Sequence, residues 1–336
     1  MDLKKNRNII LDFIRGMGII IVVLGHSMQI NLPENETNMV WMFIRTFQMP
    51  LLFSISGYSA GFSYPTDDLL KFIRNKLFRL AIPYAIWAEI YMMISWAMGY
   101  EKISIKTILL CLETSPFWFL RHLIIYFIVL WLANILLCIL KPIIKSSKVY
   151  MVLSCLFPVG GAGVIYLLKW TPWLNQTNAL WQYLWFVLGY FLFVICKHIH
   201  NDRYIYNRGV LVISIIGIIV VYFCFKKIGM NEYVTCTIAT TMMMLLFGNL
   251  GNFSKEYKYS RYIEEIGRST LPIYAIHWCI LFAPNLNQNM YTRILNEDYY
   301  IFNVFITCII WLGISILGIR ILRKTKVTKM LFLGEK

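Results

Sequence analysis

Long apolar runs separated by short polar segments recur along the whole chain, at about residues 9–30, 40–63, 77–98, 116–140, 149–168, 181–196, 209–225, 234–250, 270–285 and 301–321. Each is near the ~20 residues that an α-helix needs to cross a bilayer core of ~30 Å. The pattern predicts an all-α fold, a polytopic transmembrane helical bundle of about ten spans. Polar segments between the runs, the longest around 64–76, 197–208, 251–268 and 286–300, are too short to fold separately. No internal repeat or Gly/Ser-rich linker divides the chain. One integral membrane domain over residues 1–336, with no separate soluble domain, is the expected organisation.

Composition agrees, since 59% of the 336 residues are hydrophobic and the mean hydropathy is +0.61, more apolar than a soluble domain of this size. Basic residues add a direction. With the N-terminus inside, 24 of the 32 lysines and arginines fall on six inner segments and 8 on the outer ones, the bias expected when both termini are cytoplasmic. The formal net charge of +15 then reflects loops beside anionic lipid, not a nucleic-acid partner. The first run has a basic lead-in like a signal peptide. It is too long for one, contains Arg15 and lacks a small-x-small cleavage site, so it is expected to be a retained span. Eight cysteines are scattered without metal-ligand spacing and are expected to pack as small apolar residues, with no metal site.

The first span breaks the apolar pattern in an informative way, because Asp12, Arg15 and His26 all lie within it. At ~100° per residue, the step from Arg15 to His26 returns to nearly the same face, ~16 Å along the axis. An ionisable group at such depth costs at least ~2.5 kcal/mol by insertion scales and normally faces a protein interior or a watered cavity. Neutral imidazole is the natural proton acceptor near pH 7, which makes His26 the leading general-base candidate. A histidine hydrogen-bonded to a neighbouring helix is the plainer alternative. Asp12 and Arg15, three residues apart, can pair with each other. Equally, the Arg15 guanidinium matches the geometry of a phosphate or carboxylate ligand.

A basic cluster of Lys71, Arg74, Lys76 and Arg79 leads into Pro83-Tyr84. Lys76 and Arg79 are a turn apart and are expected to project together, either as a topology signal or as a phosphate-binding platform at the inner mouth of a pore. Glu89 must be protonated, paired or facing water, with Arg15, Arg45 and Arg121 as possible partners. Arg121 follows Phe117-Trp118-Phe119 at the outer start of the fourth span, where anchoring by a snorkelling side chain is favoured over catalysis. His277 is a second-rank acid/base candidate. Ser56, in the patch Ser54-Ile55-Ser56-Gly57-Tyr58 after Pro50, fits close helix packing and pore lining equally well.

At these residues the chain resembles the acyltransferase-3 family of integral membrane O-acyltransferases, in a single-domain form similar to fucose 4-O-acetylase-like proteins. The matching pieces are Leu11-Asp12-Phe13-Ile14-Arg15-Gly16 with His26, and Phe47-Gln48-Met49-Pro50-Leu51 with Ser56-Gly57-Tyr58. They continue with Lys76-x-x-Arg79 before Pro83-Tyr84, Trp118-Phe119-Leu120, and Ile266-Gly267-Arg268-Ser269 with Ile273-Tyr274-x-x-His277. The resemblance implies transfer of an acyl group, usually acetyl from acetyl-CoA, to a hydroxyl of a sugar, cell-envelope glycan or lipid-linked precursor. His26 would be the general base or relay the acyl group; Asp12 is named with it as a catalytic candidate. Arg15, Arg74, Lys76 and Arg79 would hold the CoA phosphates. Acetyl-CoA would be a co-substrate, with no permanently bound cofactor, and the bacterial cytoplasmic membrane the location. One departure is Lys76 where the family commonly has arginine, which keeps the charge and loses bidentate geometry. The additional extracytoplasmic hydrolase-like domain of some members is not expected. A transporter of an anionic solute using the same charged stripe is the competing class.

Overall fold

Every one of the ten apolar runs is helical in the computed structural model, which describes residues 3–32, 38–66, 68–99, 112–113, 115–174, 178–198, 206–228, 231–281 and 300–335. In chain order the helices are α1 (Leu3–Asn31), α2 (Met39–Ala60), α3 (Leu69–Ala97), α4 (Trp118–Leu140), α5 (Ser147–Leu168) and α6 (Ala179–His198). Then follow α7 (Arg208–Ile228), α8 (Glu232–Ser254), α9 (Lys258–Arg268), α10 (Thr270–Leu281), α11 (Tyr300–Leu322) and α12 (Lys326–Leu333). Eight are long and apolar enough to cross a membrane, while α7 and α10 carry the shorter apolar stretches Arg208–Cys224 and Thr270–Ile280. The chain is a multi-pass membrane protein. Residues 282–285 of the ninth predicted run lie outside the described residues.

Two differences from the hydropathy pattern have simple causes. The third helix begins at Leu69, before the predicted residue 77, because the basic segment is itself helical; the Asp68 side chain caps it by accepting from the Lys71 N–H at 2.9 Å. Helices α9 and α12 are short and polar on one side, so they do not register as apolar runs. Cys138, Cys155, Cys196, Cys224, Cys236, Cys279 and Cys308 are unbridged, and Cys111 lies outside the described residues.

The helices gather into two units, one formed by Met1–Ile55 and Ile199–Ile321, the other by Ser56–His198 and Leu322–Lys336. In the first unit α1 packs against α8, α9 and α10. Glycines set how closely. A Cβ at Gly16 would overlap the Ile263 carbonyl oxygen, and one at Gly267 would overlap the Asp12 carbonyl oxygen. The two contacts pair a later residue of α1 with an earlier one of α9, so α9 runs antiparallel to α1, backbone against backbone. Where lipid tails are as apolar as any side chain, such close approach is what drives helices together. Gly251 of α8 similarly admits the ring of Phe13.

In the second unit, prolines leave carbonyls open, and other parts of the chain come close to them. Pro158 has no N–H for the Ser154 carbonyl, and the Tyr190 hydroxyl donates to that oxygen at 3.2 Å. Pro83 likewise frees the Arg79 carbonyl. Gly334, at φ +64° after α12, closes on this oxygen, while the Trp87 Nε1–H donates to the Phe332 carbonyl at 3.0 Å. Helix α12 is thereby held on α3.

Gly16→Ala and Gly267→Ala should each destabilise the protein by about 1–3 kcal/mol, because a methyl forces two backbones apart. Thermal unfolding of the purified protein reads this directly. Gly163→Ala, with no atom within 4 Å of the added carbon, should stay within about 0.5 kcal/mol of the parent.

Candidate functional site

The close approach of α9 to α1 brings four charges together. Arg15 Nη1 donates to Asp12 Oδ1 at 3.1 Å and Arg268 Nε donates to Asp12 Oδ2 at 3.0 Å. Arg268 Nη2 also lies 3.5 Å from Glu264 Oε2, and the Ser260 hydroxyl donates to the other Glu264 oxygen at 3.1 Å. Asp12 thus gives one carboxylate oxygen to each guanidinium. This sharing is what allows a carboxylate with a side chain only 15% exposed to remain on an apolar helix. Arg268 sits in the last turn of α9, where the helix carbonyls favour a cation as well.

Fourteen residues, or ~21 Å of helix, separate Asp12 from His26. Asp12 is therefore out of contact with His26. Its contacts make it the anchor of an arginine pair.

At the far end of α1, half-buried His26 rests against α10. Its ring centroid is 5.4 Å from that of His277 and 4.7 Å from that of Trp278, the latter edge-on. The His26 Nδ1 lies 3.2 Å from Gln29 Oε1. In the tautomer that suits this contact, Nδ1 carries the hydrogen and Nε2 the lone pair. His277 is completely buried, and its Nδ1–H donates to the Ile273 carbonyl at 2.8 Å. The neighbouring Ser27 hydroxyl ties α1 to α11 by donating to the Val304 carbonyl at 2.6 Å. Gly25, where a Cβ would overlap Gln48 Oε1, lets α2 close in one residue before His26.

Of the residues singled out from sequence, Asp12 and Arg15 meet at one end of α1, and His26 and His277 at the other. Arg268, Gln29 and Trp278 were not identified as site residues. Arg268 stands in the Gly267-Arg268-Ser269 piece, and Gln29 lies three residues after His26 on one helix face, which are the signals that point to them.

The second unit holds the remaining candidates. Lys76 and Arg79 do not project together: Lys76 Nζ turns inward, 3.3 Å from the Ser59 carbonyl and 5.5 Å from the centre of the Phe127 ring, while Arg79 and Arg74 are exposed. The Ser59 carbonyl and the Phe127 ring draw Lys76 inward, while Arg79, one turn later, keeps its side chain exposed. Arg121 does not snorkel. It is 5% exposed, and its guanidinium donates to the backbone carbonyls of Leu112 and Glu113, so its role as an interfacial anchor is corrected to that of a buried tie between segments. Glu89 is exposed on α3 and makes no ion pair among the described residues. Ser56 is half-buried beside Gly57, where a Cβ would overlap the Phe186 carbonyl. Among the described residues no cluster of three or more metal-ligating side chains occurs.

Comparison with known proteins follows the same residues. The acyltransferase domain of the acyltransferase-3 family matches residues 8–319. Over 237 residues the chain is 26% identical to nodulation protein NolL of Sinorhizobium fredii, covering 68% of this chain and 60% of that protein. Over 242 residues it is 24% identical to nodulation protein NolL of Mesorhizobium japonicum, covering 62% of this chain and 61% of that protein. The chain thus spans about three fifths of the length of the curated relatives it matches. No solved structure matches it.

Removing Asp12 should cost more than removing either arginine alone. Asp12→Ala leaves two guanidiniums without their shared partner and should destabilise the protein by about 1–3 kcal/mol. Arg268→Gln, at a side chain 57% exposed, should cost no more than about 1 kcal/mol. Chemical unfolding of the two variants, with hydrogen exchange across residues 258–268, checks the order.

Proposed function

We propose, because the chain belongs to the acyltransferase-3 family, that it is a membrane O-acyltransferase moving an acyl group, acetyl by preference, from acyl-CoA to a hydroxyl of a sugar or cell-envelope glycan. The observation that carries this reading is the division of α1 into a guanidinium end at Arg15 and an imidazole end at His26, ~16 Å apart on one helix. A donor with phosphates at one end and a thioester at the other suits that division. Arg15, steadied by Asp12, meets the donor phosphates. His26 Nε2 accepts the proton of the acceptor hydroxyl as its oxygen attacks the thioester carbon. The C–S bond then breaks, and the proton passes to the CoA sulfur, which leaves as the thiol. The Gln29 oxygen, on the Nδ1–H, keeps the ring in the tautomer that offers Nε2 to the substrate. We place the protein in the bacterial cytoplasmic membrane with both termini inside, on the strength of the basic inner segments.

Measuring acetyl-CoA binding and slow release of free CoA in nanodiscs tests the reading without knowledge of the acceptor. Wild type should bind and cleave. His26→Ala should still bind while CoA release falls by about 10²-fold or more. Absence of binding in both would contradict the proposal and favour a transporter of an anionic solute.

A further inference from the structure

Helix α8 is long and apolar enough to cross a membrane, and it ends at Ser254. Its last turns expose Leu250 and Phe253, as a surface facing lipid tails does. Over residues 255–262 the exposed side chains change character. Tyr257, Tyr259 and Tyr262 are each more than half exposed, and the first two stack with ring centroids 5.5 Å apart. Lys255, Lys258 and Arg261 are exposed among them and make no ion pair among the described residues, with Glu256 as the exposed carboxylate of this stretch. The next exposed carboxylate, Glu265, comes a turn later, three residues before Arg268. Ser260, Glu264 and Gly267 are the buried side of α9, and Gly267 packs on the α1 backbone. The tyrosines and cations are therefore its outer face. Water suits three exposed rings poorly, and hydrocarbon suits three cations worse. A layer that is apolar on one side and wet on the other accommodates both.

We propose that the outer face of α9, with the segment leading into it, is a binding surface for anionic phospholipid headgroups. The tyrosine rings sit at the boundary with the acyl chains, and Lys255, Lys258 and Arg261 donate to the lipid phosphates. This surface lies beside the charged end of α1, because Gly251 of α8 admits the Phe13 ring and Gly16 and Gly267 bring α9 against α1. Lipid held there steadies α9, and with it the contact of Arg268 with Asp12. The inference does not depend on the transfer reaction.

Hydrogen exchange across residues 255–268 tests it, with the full chain as a single copy in nanodiscs of phosphatidylcholine, alone or mixed with phosphatidylglycerol. Exchange should be about fivefold slower with phosphatidylglycerol, the effect of about one cation at an anionic surface. The difference should shrink in about 1 M salt. Exchange in α4, whose one cation, Arg121, is buried, should be the same in both lipids. Lys255→Gln, Lys258→Gln and Arg261→Gln combined should abolish the lipid dependence. Tyr259→Ser with Tyr262→Ser should speed exchange in both lipids. Equal wild-type exchange in the two lipids, equal slowing in α4, or a phosphatidylglycerol effect that survives the triple substitution overturns the proposal. Protection that appears only in discs holding two copies also overturns it, and assigns the face to a second copy of this chain. If the triple variant does not fold, wild type in the two lipids at low and high salt still decides.

Discussion

Contact between the backbones of α1 and α9, at Gly16 and Gly267, is the constraint on which the charged end of the first unit depends. Without side chains at these two positions, α9 comes near enough for Arg268 to reach Asp12 on the oxygen that Arg15 leaves open. A carboxylate within an apolar span needs such partners. The small residues and the ion pairs are therefore one device. Glycines permit the approach, and the approach neutralises the charges.

The same helix then carries a different environment at its other end. Around His26 the neighbours are aromatic or neutral polar groups: His277, Trp278 and Gln29. A helix offers this separation cheaply, since each residue advances ~1.5 Å along a rigid axis. In the reaction proposed above, the length of α1 would keep phosphate binding and proton transfer apart. Both ends are held independently, the first by α9 and the second by α10, α11 and the close approach of Gln48 at Gly25.

Much of this architecture is legible in the amino-acid sequence, because hydrophobic runs long enough to cross a bilayer have one common solution. Positions of the ten apolar helices follow from that, and so does the shared face of Arg15 and His26. What hydropathy does not reveal is which polar groups meet across helices. Arg268 belongs to a short amphipathic helix with no apolar run of its own, and its contact with Asp12 depends on glycines 251 residues apart in the chain. Arg121 looks like an interfacial anchor by its aromatic neighbours, yet backbone carbonyls at Leu112 and Glu113 draw it inside. Lys76 and Arg79 share a helix turn, and the Phe127 ring takes one of them inward. In each case a tertiary partner overrides a local rule.

The most direct test of the two-ended α1 is a structure of the protein in nanodiscs with CoA bound. The CoA phosphates should lie within hydrogen-bond reach of Arg15 and the thiol beside His26, with the pantetheine arm following α1 between them. CoA bound away from α1, or bound with its thiol remote from His26, would contradict it.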